Sequence, residues 1–431
     1  MQDTNEISIK HSKKYLIFLF FILALVQILD AYSTGYTSSF PSKIIEEFLS
    51  GYPSNQANAI LGLCTSIASI GMYMVFFNQY FADKIGRKKM LTITTFGMGI
   101  SALFLALSTN IMFYTIFLFT TYLFYSSDMW LIYANEEAPA EKRASYINIV
   151  LMCGMLGPIM MPTLRSIFIT ETSPVGSWRG MTLFPILLGI PLAIIIIFTI
   201  KETSKYQEIK SSETRETPPI FLKKNIAAIF KSNIKPEFIV LLIMSFFAGL
   251  NFFMLQFAES FINLNTSLPE SKVNLVITVI AIALILGYLL TGILADKIGR
   301  VPLLHLFSVL MPLASILLYI GSFLTEGTFI LVSLGAALAY VSYYGLTIVL
   351  RIVLMEIVPT DKRGTGMGVR ALINAFGITS GFLIGSGLTF ILGLGIAFMI
   401  MSFPLILNVF LTIKYIKETK GTDLSKIELK Y

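Results

Sequence analysis

The chain has 431 residues, of which 55% are hydrophobic and only 13% charged, with a formal net charge of +7. Its mean hydropathy of +0.77 excludes an ordinary water-soluble surface, which needs roughly a quarter of residues charged. The positive balance lies in loops between apolar runs, so it reads as a signal of membrane topology and not of a nucleic-acid partner.

A membrane-crossing helix needs about twenty predominantly apolar residues, because lipid offers backbone groups no partner outside the helix. That rule predicts twelve spans, at residues 15–39, 57–81, 90–108, 111–134, 144–165, 181–200, 236–262, 272–295, 301–322, 326–354, 365–391 and 394–415. The first is rich in Thr, Ser, Tyr and Asp with no small-residue cleavage site behind it, so it is expected to stay in the mature protein. Between the sixth and seventh spans lies the longest polar stretch, 201–235. There Pro218-Pro219 stops any continuing helix, and Lys223, Lys224 and Lys231 suit an amphipathic segment lying on anionic headgroups. The expected architecture is an all-α membrane protein of two pseudo-symmetric six-helix bundles, residues 1–200 and 236–431, joined by the linker 201–235.

Lys and Arg concentrate on one side of this arrangement, while the opposite loops hold only Lys43, Arg179 and Lys272. Basic loops are retained in the cytoplasm, which predicts cytoplasmic termini and linker in a multi-pass protein of the cell membrane. Cys64 and Cys153 fall within spans and read as small buried hydrophobes; His11 and His305 are scattered. No metal site or cofactor is expected.

The chain is duplicated. Asp83-Lys-Ile-Gly86-Arg87 returns as Asp296-Lys-Ile-Gly299-Arg300, Pro139 to Arg143 is answered by Pro359 to Arg363, and Lys201-Glu-Thr203 by Lys417-Glu-Thr419. All three offsets are about two hundred residues, as in a unit copied head to tail. In the DKIGR tract the Gly permits a tight turn between antiparallel helices, and the basic residues can clamp a neighbouring helix end or acidic side chain.

With one such turn between the second and third span of each half, the chain resembles the major facilitator superfamily, whose signature loop reads close to G-x-L-a-D-r-x-G-R-k/r. Asp83, Gly86, Arg87, Lys88, Asp296, Gly299 and Arg300 match it; Val301-Pro302 replace basic residues in the second copy, so a weaker clamp is expected there. Glu136, Arg143, Glu356 and Arg363 occupy the positions of the E-x-x-P-x-x-x-R-G tract of sugar porters and related organic-ion carriers. The resemblance implies salt bridges from these residues to the signature loops, closing the inner side in the outward-facing state. KETS at 201–204 and KETK at 417–420 resemble the P-E-T-K-G box, with Lys for Pro.

An ionisable group inside a span is costly and marks a functional candidate. Asp30 lies about fifteen residues into the first span, near or beyond the midplane at a rise of about 1.5 Å per residue. Its surroundings, LDAYSTGY, resemble a segment of proton-coupled carriers of phosphate and aromatic acids, with Ser33 in place of the second Asp. Proton carriage and a bundle hydrogen bond are both open to it. Asp128 can serve as a symporter carboxylate or pair with a basic residue; Arg351 and Arg370 can fork an anionic substrate or form gate salt bridges. Asn251, Gln256 and Glu259 fall in a stripe of about 140°, either cavity-lining or at the outer rim. Gly377, Gly381 and Gly385 read as close helix packing; Gly154, Gly157 and Pro158 read as a kink with a faint likeness to an exchanger motif. Trp130, Tyr133, Tyr343 and Tyr344 can stack on substrate, though most aromatic residues here must face lipid or core.

Together these features predict a monomeric carrier for a small polar or anionic organic solute, with protons and the lipid bilayer as its other partners. No G-x-x-x-x-G-K-S/T tract occurs, so ATP is not expected to drive it; no nucleophile and base share a span, so it is not expected to be an enzyme. The alternatives are a proton-driven drug exporter and a non-transporting sensor on a carrier fold.

Overall fold

The computed structural model describes residues 12–124, 129–139, 142–204, 206–207, 218–359 and 362–421. Its membrane helices are α1 (Lys13–Ser39), α2 (Ser54–Met74, continuing as Val75–Ile85), α3 (Arg87–Ala106), α4 (Ile111–Leu123, then Met129–Glu137), α5 (Arg143–Gly154 and Leu156–Phe168) and α6 (Ser177–Thr199). The second half repeats them as α7 (Lys235–Asn265), α8 (Glu270–Ile298), α9 (Arg300–Gly321), α10 (Thr328–Ile357), α11 (Arg363–Leu392) and α12 (Leu394–Tyr415). Among the described residues eleven helices are long and apolar enough to cross a membrane; the fourth shows only its shorter piece Ile111–Leu123. Phe198, Ile391 and Leu187 expose 81%, 75% and 70% of their surface, which suits acyl chains and not water.

The two DKIGR turns form in the same way. Gly86 (φ +110°) and Gly299 (φ +102°) take a left-handed backbone that other residues adopt only with strain, and Arg87 and Arg300 begin the next helix at once. We call this the turn end of the molecule and the opposite one the far end.

The halves pack alike. Within each, α1 meets α5, α3 meets α6 and α2 meets α4, as α7 meets α11, α9 meets α12 and α8 meets α10. Small residues let backbones approach closely: a Cβ on Gly377 would stand 2.4 Å from Phe246 O, and one on Gly157 2.7 Å from Tyr32 N. Between halves, α2 lies on α11 and α8 on the piece Leu156–Phe168 of α5, two contacts that a two-fold exchange of the bundles interconverts. The linker helix Pro218–Lys231 lies against α7 and α11, with Phe230 edge-on to Phe238 at 5.4 Å. Ile229 is buried while Lys224 and Lys231 are exposed, as its amphipathic pattern predicts.

Candidate functional site

At the far end the two halves are tied by a buried ionic clasp built on Arg165, near the end of α5. The guanidinium is fully buried. Its Nη2 donates to Glu259 Oε1 (2.7 Å) and Glu270 Oε1 (2.6 Å), its Nε to Ser39 O (2.6 Å), and its Nη1 to Asn274 Oδ1. Glu259 on α7 also accepts from Ser42 N (2.9 Å) and Ser42 Oγ (2.6 Å) in the short helix Pro41–Phe48. Glu270 Oε2 accepts from Asn263 Nδ2 (2.9 Å) and lies 3.1 Å from Lys43 Nζ. Burial pulls the Lys43 ammonium down, but the carboxylates of Glu270 and Glu46 outweigh it and hold the group above its ordinary value. Asn274 Nδ2 donates to Ile169 O (2.9 Å), and Ser260 Oγ donates to Asn58 Oδ1 (2.7 Å), so uncharged groups cross the same seam.

At the turn end each half closes on itself through two matching relays. Arg87 Nε reaches both oxygens of Glu136 (3.0 and 3.2 Å), and Arg300 reaches Glu356 through Nε (3.2 and 3.1 Å) and Nη2 (2.7 Å). Thr203 Oγ1 and Thr419 Oγ1 donate to the same two glutamates, each at 2.6 Å. Glu202 and Glu418 sit on the amino ends of α3 and α9, accepting from Lys88 N (2.9 Å), and from Arg300 N (2.9 Å) and Val301 N (3.0 Å). Burial pushes the Glu418 carboxyl up, but backbone N–H donors of Arg300, Lys420, Val301 and Thr419 prevail and hold it below its ordinary value. Val301-Pro302 therefore do not deprive the second copy of its clamp, because the contact uses the Arg300 side chain and not the residues after it. Every ion pair joining the halves, among the described residues, lies at the far end.

The other candidates are placed as follows. Asp30 is 5% exposed on the buried face of α1 with Leu29, Tyr32 and Ser33. Asp128 and the side chain of Asp83 lie outside the described residues. Asp296 is exposed and reaches Arg300 at 3.1 Å. Arg143 is exposed at the first turn of α5, and Arg363 Nε turns back to Val358 O (3.0 Å), so among the described contacts it reaches no signature loop. Arg351 is exposed, Arg370 is 3% exposed, and both lie within electrostatic reach of the Tyr343 hydroxyl. They stand at matching depths, about 10 Å from the turn-end limits of α10 and α11 at 1.5 Å per residue.

The predicted stripe on α7 does not hold together. Gln256 and Glu259 are buried in its second piece, but Asn251 sits at a helix break after Leu250 and donates to Phe247 O (2.9 Å) and Met401 O (3.1 Å), facing α12. The break interrupts the regular 100° step on which the stripe rested. Trp130 and Tyr133 are buried in core packing with α1, and Tyr133 donates to Lys201 O. Tyr343 and Tyr344 stand edge-on at 5.2 Å, with Phe252 5.5 Å from Tyr343 and Tyr288 5.3 Å from Tyr344.

Sequence reasoning missed Arg165 as a hub, along with Ser42, Glu270 and Asn274, and it missed the helix-end role of Glu202 and Glu418. The available signal was the cost of an arginine at the end of an apolar span, which demands carboxylate partners.

Two pseudo-symmetric bundles, joined by ion pairs at the far end and each carrying a matching relay at the turn end, define a two-bundle membrane protein of the transporter class. Consistent with this, the model of the Major Facilitator Superfamily matches residues 16–255 and 241–430, and the chain belongs to that family. No curated protein matches it by sequence. Among solved structures it is similar to the xylose transporter XylE from E. coli in an inward open conformation (TM-score 0.73, 18% identity, covering 96% of this chain and 99% of that one). It is also similar to a D-xylose-proton symporter (TM-score 0.73, 19% identity, 94% and 99% covered) and to the nucleoside transporter NupG (TM-score 0.72, 15% identity, 93% and 100% covered). At these identities the likeness shows the fold alone.

Proposed function

We propose that this transporter moves a small polar or anionic organic solute by alternating access, with proton movement through Asp30 as the coupling. The observation that carries the reading is the placement, among the described residues, of the cross-half ion pairs: the Arg165 clasp joins the bundles at the far end, while Arg87 and Arg300 find carboxylates within their own halves. In this reading the clasp is the outer gate, and the turn end, with both termini and the linker, faces the cytoplasm of a cell-membrane protein. Residues 1–200 and 236–431 rock as two bodies about a central chamber, with 201–235 as the tether. Glu136, Glu356 and the signature loops brace each body at its inner end. Arg351 and Arg370 supply cationic contacts for an anionic solute entering or leaving on the turn side, and their common depth supports this.

The test is flux in proteoliposomes under an imposed pH gradient, with solutes chosen by thermal-shift screening of the purified protein. Uphill movement of a solute into the acid-poor compartment is expected of the parent and should be lost in Asp30→Asn, which keeps shape but cannot ionise. If the Asn variant concentrates solute as well as the parent, Asp30 is not the coupling group. Solute leaving against its gradient as protons enter would favour the exporter alternative.

A further inference from the structure

The clasp divides its charges by half. Arg165 and Lys43 belong to the first bundle, Glu259 and Glu270 to the second. Both glutamate Oε1 atoms bond to the same nitrogen, at 2.7 and 2.6 Å, so they stand within about 5 Å of each other, a separation at which two carboxylates without a cation between them resist joint ionisation. Separating the bundles at this end withdraws Arg165, Lys43 and the Ser42 donors together and leaves the two glutamates facing incoming water on one body.

Resting on the alternating-access reading, we propose that the clasp is a proton-sensitive lock: when it opens, Glu259 and Glu270 take up one proton from the outer water and share it, and when it closes Arg165 displaces that proton back to the water. The remaining groups around the pair are fixed by the structure. Arg165 faces it from α5, Lys43 and Glu46 from the helix Pro41–Phe48, and Tyr340 from α10, within electrostatic reach of Glu259. Glu171 of the loop after α5 holds the backbone N–H of Ser271, next to Glu270. Of these, the two glutamates are the carboxylates that share Arg165. Because the open form holds one proton more than the closed form, acid favours opening, by at most about tenfold in the open-to-closed ratio per pH unit.

The experiment uses the full-length protein in lipid nanodiscs, with Cys64 and Cys153 replaced by serine and spin labels on Thr172→Cys and Thr325→Cys, exposed positions in far-end loops of opposite halves. Distance distributions are recorded from pH 7.5 to 5.5 for the parent, Glu259→Gln, Glu270→Gln and Arg165→Ala. The parent should gain a longer distance as pH falls, and each single Gln variant, having no carboxylate pair, should lose the pH response across this window. A parent indifferent to pH, or a Gln variant that responds as the parent does, overturns the lock. If Arg165→Ala shows the longer distance while the parent ignores pH, the lock alone fails; if no variant widens at any pH, the alternating-access reading fails with it.

Discussion

Replacing Arg165 with alanine removes the fully buried cation at the centre of the far-end clasp. Its guanidinium is fully buried and bonds two carboxylates, one side-chain amide and one backbone carbonyl. Truncating one member of a buried ion pair costs about 3–5 kcal/mol, because the partner is left charged and desolvated. Here the closed form bears that cost, with Glu259 buried and keeping only Ser42 as donor, whereas in the open form both glutamates are hydrated. The closed-to-open ratio should therefore fall by roughly two to four powers of ten. Labels at Thr172 and Thr325 read this directly as a new, longer distance at neutral pH. Arg165→Lys restores a charge but not the fork, and should give an intermediate population. An unchanged distribution in Arg165→Ala, in protein that still elutes as a folded monodisperse species, would refute the reasoning that the clasp holds the far end shut.

Three further outcomes follow from the packing and the turn-end relays. Gly377→Val should lower the melting temperature in detergent, since its new Cβ would meet Phe246 O at 2.4 Å, at an overpacking cost of about 1–3 kcal/mol. Gly387→Ala, on the same helix with nothing within 4 Å, should not lower it and should raise it slightly, since alanine loses less backbone freedom in a helix. Glu418→Gln should destabilise the protein at neutral pH: a carboxyl held below its ordinary value stabilises above its unfolded value and loses that contribution as pH falls through the folded one. Parent and variant melting temperatures should accordingly converge in acid. A double-mutant cycle on Arg300 and Glu356, read by thermal unfolding, should return a coupling of about 0.5–3 kcal/mol, and additivity would mean the pair is incidental.

Much of the fold was legible because lipid imposes one simple rule on every span, and because duplication supplied each motif twice. The relays at Arg87 and Arg300 could be anticipated for the same reason: the tracts that meet are short, repeated and tied to turns. Arg165 was not legible, since its partners Glu259, Glu270 and Asn274 lie in the other half, and only the docking of α5 on α8 brings them together. Asn251 was misplaced because a helix break resets the angular register that periodicity assumes.

The central claim is that the two ends open in alternation. Its most direct test compares two label pairs in Arg165→Ala and in the parent: Thr172 with Thr325 at the far end, and the exposed, pseudo-symmetric Lys84 with Lys297 at the turn end. In Arg165→Ala the first distance should lengthen while the second shortens. Lengthening of both, or of the first with the second unmoved, would contradict it.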